Sequence, residues 1–72
     1  MQDQFEALVK RWPSAWVARS EVRRFSGGVI AGKTLANLAS RGETVPPAFK
    51  VGKKVCYEAQ ELADYLRSRT GR

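Results

Sequence analysis

A mainly α-helical fold with one small β-hairpin is what this sequence predicts, on three observations. Apolar residues recur at helical spacing on both sides of a Gly27-Gly28 pair. Residues 48–57 instead alternate around Gly52 in the period-2 manner of a hairpin, and Pro46-Pro47 separates the two regimes. The expected architecture is three core helices, a short N-terminal helix and one hairpin, in a single domain over residues 1–72 with its core in residues 17–68.

Seventy-two residues lie near the lower size limit for a chain that holds a core without staples. Apolar residues make up 43% of the chain, enough for a modest core but not for an elaborate enzyme pocket. The single cysteine, Cys56, excludes an internal disulfide and fits a reducing, cytoplasmic setting or one where no staple is needed. With no histidine, histidine bases and Cys/His zinc sites are excluded, and neither a metal nor a cofactor is expected. No apolar run is long enough to span a membrane, and the opening MQDQFEAL lacks the build of a signal peptide.

The first element is a short accessory helix within residues 1–12. Asp3 is its expected N-cap, and Phe5, Leu8, Val9 and Trp12 form one face until Pro13 and Ser14 break it. So short a helix is marginal alone, so Phe5 and Trp12 must dock on something. Trp12 and Trp16 are both expected in the core. Residues 19–26 read as helix one, with Val22 and Phe25 inward, Arg19 and Arg23 on an outer face and Arg24 beside it. Gly27 and Gly28 supply the backbone freedom for a sharp turn, and Val29 and Ile30 are expected to plug the angle between the helices.

Helix two is expected over residues 31–41. Leu35, Leu38 and Ala39 fall in one arc, with Lys33, Thr34, Asn37, Ser40 and Arg41 opposite. Gly42 stands where a glycine stop belongs. Pro46-Pro47 then forces an extended segment, compatible with either isomer of the proline bond. In the hairpin, a three-residue loop of Gly52, Lys53 and Lys54 would pair Val51 with Val55 and Phe49 with Tyr57, all on one face. It is preferred to a two-residue loop, which would set Lys54 on the face of Val51 and Phe49. That register puts Lys50 on the outer face and Lys53 and Lys54 at the tip. A last helix is expected over residues 58–68, burying Ala59, Leu62, Tyr65 and Leu66, with residues 70–72 frayed.

Charge is concentrated in the middle of the chain. The ten basic residues from Lys10 to Lys54 face only Glu21 and Glu43, while the flanks add no net positive charge to the overall +6. A basic centre of this kind suits a polyanionic partner. Gly27-Gly28-Val29-Ile30-Ala31-Gly32-Lys33-Thr34 also satisfies the G-x-x-x-x-G-K-[ST] pattern of a nucleotide phosphate loop. That motif requires a preceding buried strand and a second strand ending in a magnesium-binding Asp. Residues 21–26 have helical periodicity, and Asp3 and Asp64 follow no apolar strand. The pattern therefore reads as coincidence, and no enzymatic activity is expected.

The order helix, tight turn, helix, proline link, basic hairpin, helix resembles the winged helix-turn-helix domains of phage excisionases and AlpA-type transcriptional regulators, distant relatives of the MerR DNA-binding domain. The residues that carry the resemblance are Trp16-Val17-Ala18-Arg19-Ser20-Glu21-Val22, Lys33-Thr34-Leu35-Ala36-Asn37-Leu38, and Arg41-Gly42-Glu43 followed by Pro46-Pro47. Phe49-Lys50-Val51-Gly52-Lys53-Lys54-Val55-Cys56-Tyr57 and Glu61-Leu62-Ala63-Asp64-Tyr65-Leu66 complete the set. The resemblance implies a transcriptional regulator or excision factor that binds double-stranded DNA, singly or with further copies, with helix 31–41 in the major groove and hairpin 48–57 as the wing.

Asn37 would then contact adenine, Lys33 and Arg41 guanine or phosphate, and Thr34 a thymine methyl or phosphate, with Ser40 on the same face. Lys50, Lys53 and Lys54 on the wing, and Arg19, Arg23 and Arg24 on helix one, would meet the DNA backbone. The alternative is a protein-interaction module of the same fold, docking on a recombinase or a transcription partner.

Overall fold

Two helices stop where a glycine takes a positive φ, and both stops have the same hydrogen-bond geometry. After Val22–Phe25, Gly27 at φ 69° donates to the Arg24 carbonyl and Gly28 to that of Arg23. After Gly32–Ser40, Gly42 at φ 79° donates to the Ala39 carbonyl and Glu43 to that of Leu38. Each is a Schellman motif, which satisfies carbonyls that a helix end would otherwise leave unpaired.

The computed structural model describes residues 4–69. In chain order these form α1 (Gln4–Arg11), β1 (Trp16–Ala18), a 3-10 turn (Arg19–Glu21) running into α2 (Val22–Phe25), α3 (Gly32–Ser40), β2 (Ala48–Val51), β3 (Lys54–Glu58) and α4 (Ala59–Ser68). The proposed Asp3 cap and the fraying of residues 70–72 lie outside the described residues. No helix among the described residues is long and apolar enough to cross a membrane. Neither bond of the Pro46-Pro47 segment is cis.

The sheet has three antiparallel strands in the order β1-β3-β2, where the sequence suggested only a hairpin. The added strand, β1, pairs Trp16 with Glu58, Val17 with Tyr57 and Ala18 with Cys56. Three residues are too few to show a periodicity. The 3-10 turn likewise replaces the first turn of the expected helix one. Ala18 caps it without a side-chain hydrogen bond, so nothing there draws the chain into α-helical pairing at once.

The hairpin register differs from the three-residue loop expected above. Val51 pairs with Lys54, Lys50 with Val55, Phe49 with Cys56 and Ala48 with Tyr57, around a two-residue turn of Gly52 and Lys53. Gly52 has φ 63° at the first central position, as primed hairpin turns require, and this turn chemistry outweighs apolar matching. A one-residue slip exchanges the faces of a strand. Phe49 and Val51 therefore lie with Trp16 on the outer face, while Lys50 shares the side of Val17 and Tyr57.

The core forms on that inner side, where Val17, Val22, Phe25, Leu35, Tyr57, Leu62 and Leu66 pack together. α1 packs against α4 through its apolar face. Trp12 secures it by an edge-on contact with Phe25 (centroids 5.5 Å apart) and an Nε1 hydrogen bond to the Trp16 carbonyl. Trp12 thus docks as expected, but Trp16 does not enter the core. It is 51% exposed and meets Phe49 edge-on over the central strand, which accounts for the burial of Cys56 on that side.

Two further expectations are corrected. Of the two residues expected to plug the inter-helix angle, Ile30 packs against the core, whereas Val29 is 78% exposed. The joint is also tied by Ser26, whose Oγ accepts from the Ile30 N–H and donates to its carbonyl. Ala39 is exposed, because α3 turns Gly32, Leu35 and Leu38 inward. Leu35→Ala should accordingly lower stability by roughly 2–5 kcal/mol. Ala39→Lys should change it by no more than about 0.5 kcal/mol. Urea unfolding of the two variants measures both.

Candidate functional site

An open groove of about 690 Å³ lies where three segments converge. The 3-10 turn and the start of α2 supply Arg19, Ser20 and Arg23. The start of α3 supplies Lys33, and the hairpin supplies Lys53, Lys54 and Val55. Small residues (Ala18, Ala31, Gly32 and Ala36) line the rest of it. No acidic residue lines the groove, and none of its five cations is in an ion pair with a described carboxylate. Arg19 Nε is buried without a hydrogen-bond acceptor among the described residues. Unpaired positive charge on a concave wall concentrates potential and attracts anions.

The close approach of α3 to the 3-10 turn depends on Gly32. A Cβ at this position would run into the Arg19 carbonyl oxygen and stand 2.5 Å from Arg19 Cγ. Only glycine permits this packing, which brings the Lys33 end of the helix beside Arg19 and Arg23. The phosphate-loop pattern is thereby accounted for residue by residue. Gly27 and Gly28 terminate a helix rather than follow a strand, and Gly32 serves helix packing.

The predicted site residues divide into groups. Arg19, Arg23, Lys33, Lys53 and Lys54 come together in the groove. Thr34, Asn37, Ser40 and Arg41 are exposed along α3 and its C-cap, outside the groove lining. Ser40 Oγ donates to the Asn37 carbonyl, while Arg41 pairs with Glu43 at 2.8 Å. Arg24 is turned away from the groove and pairs with Glu21 at 3.3 Å. Lys50 lies on the open edge strand and does not line the groove.

Sequence reasoning missed Ser20 and the small residues of the lining. Their signal was present as Gly32 and Ala36, small residues one turn apart on α3. Comparison with family models, curated proteins and solved structures returns no match.

Gly32→Ala should destabilise the fold by roughly 1–3 kcal/mol through forced displacement of Arg19, as overpacking does elsewhere. The urea midpoint would fall with an unchanged slope, since a repacked joint exposes no additional surface on unfolding.

Proposed function

We propose that this protein is a winged helix-turn-helix domain that binds double-stranded DNA sequence-specifically, as a transcriptional regulator or a recombination excision factor. α3 lies in the major groove, and the β2–β3 hairpin is the wing that follows the neighbouring backbone. The observation that carries this reading is the convergence of Arg19, Arg23, Lys33, Lys53 and Lys54 on one acid-free groove beside the exposed polar side of α3.

The five groove cations take phosphates and set position, and the side chains further along α3 read bases. Asn37 offers the donor and acceptor pair that matches adenine, and Arg41 the fork that matches guanine. The pairs Arg41–Glu43 and Arg24–Glu21 are solvent-exposed, and such pairs contribute about 0–1 kcal/mol. Exchanging a carboxylate for a guanine edge or a phosphate is therefore inexpensive. Thr34 and Ser40 add shorter contacts on the same side.

Duplex affinity should fall steeply with salt, with a log–log slope near about −5 for roughly six phosphate contacts. Lys33→Ala and Lys53→Ala should each reduce that slope by about 1 and weaken all duplexes alike. Asn37→Ala should cost roughly 1–3 kcal/mol on the selected sequence and relax the preference at one base pair. Selection from random duplexes supplies the sequence, and fluorescence anisotropy supplies the affinities. Binding that is weak at low salt and insensitive to salt would overturn the reading.

A further inference from the structure

Trp16, Phe49 and Val51 on the outer side of the sheet do not line the basic groove, although Lys54, opposite Val51 on that side, does, and two unusual features meet around them. The first is an apolar strip of Trp16, Phe49 and Val51, with Trp16 51% and Val51 47% exposed. The second is β2 itself, an edge strand. Alternate residues of an edge strand turn both N–H and C=O outward, and no backbone bond between described residues takes these groups up along Ala48–Val51.

We infer that the open edge of β2, with the strip beside it, is a docking site for an extended protein segment carrying an acidic residue between two bulky apolar ones. The occupant follows from the geometry of strand addition. Side chains on an added strand alternate in step with those of β2. Two positions would lie beside Phe49 and Val51 on the apolar side. The position between them would meet Lys50 on the opposite side, and a carboxylate there stabilises the pair.

The same lysine disfavours a second copy of this chain, which would bring Lys50 against or near its equivalent while each copy carries a net +6. A nucleic-acid backbone is a poor match as well, because phosphates only accept hydrogen bonds, whereas this edge presents donors and acceptors in alternation. β2 belongs to the proposed wing but does not line the basic groove, and a test without DNA separates failure of this docking site from failure of DNA binding.

The test uses the full chain, labelled with ¹⁵N, and no DNA. The probe is a synthetic peptide in which valine and aspartate alternate, and the control has the same composition in two separate blocks. The alternating peptide should shift the amides of residues 48–51 and the Trp16 indole, and the block peptide should not. Lys50→Glu should weaken its binding about tenfold, in line with replacing an attractive cross-strand pair by a repulsive one. Lys50→Glu should in turn bind a valine–lysine peptide.

Val51→Thr keeps a β-branched residue in the strand and should also weaken binding. Equal response to both peptides, shifts centred on Lys33 and Lys53, or indifference to Lys50→Glu would each overturn the proposal. So would shifts at β2 that grow with protein concentration alone, because the occupant would then be a second copy.

Discussion

The arrangement of the basic residues depends on a contact that involves no charge. Gly32 lies against the main chain of Arg19, closer than any residue with a side chain could come. This sets the separation between the 3-10 turn and α3 and hence between the two arginines on one side and Lys33 on the other. Electrostatics alone would drive these cations apart. Their proximity is maintained by apolar packing elsewhere, chiefly Leu35 and Val22 in the buried core. The groove therefore holds electrostatic repulsion among its cations, which the packed scaffold sustains.

β3 is the second organising element, because it pairs with both other strands and continues directly into α4. Its Tyr57 lies opposite Val17 and is almost wholly buried, so the inner side of the sheet and the helical layer share one core. The turn at Gly52 then determines which residues of β2 face that core. With two turn residues, Lys50 falls on the inner side at the periphery, and Phe49 and Val51 fall on the outer side. Local turn chemistry thus decides the character of a whole sheet face, at the expense of burying two more apolar side chains.

The sequence was most legible where a pattern extended over several turns. The apolar stripe of α4, the glycine stop after α3 and the polar side of α3 could all be read from spacing, as could the concentration of charge in the middle of the chain. Legibility failed where elements are short or where two rules conflict. β1 is three residues long and owes its existence to pairing with β3, which lies about forty positions away in the chain. Ala39 shares an arc with Leu35 and Leu38, but its small side chain has little to gain from burial, and the helix rotates to seat Gly32 instead. At the hairpin, matching apolar residues favoured one register and glycine's φ preference another. The second prevailed because a strained turn has no local means of relief. At the candidate site, the cations could be named from sequence, but their division could not. Which arginines are paired depends on Glu21 and Glu43, each within three residues of its partner and each able to turn elsewhere.

The Ser26–Ile30 closure has a consequence for engineering the chain. Because the hydroxyl ties together both ends of the joint between α2 and α3, Gly27, Gly28 and Val29 form an excursion outside it, and a Cβ at either glycine would have no neighbour within 4 Å. The angle between the helices is thus set by the Ser26 hydroxyl together with the Gly27 and Gly28 backbone bonds to α2, while the faces of these two glycines stay open to solvent. Extra chain length, a reporter dye or a grafted epitope placed after Gly28 would project into solvent while the joint keeps its shape.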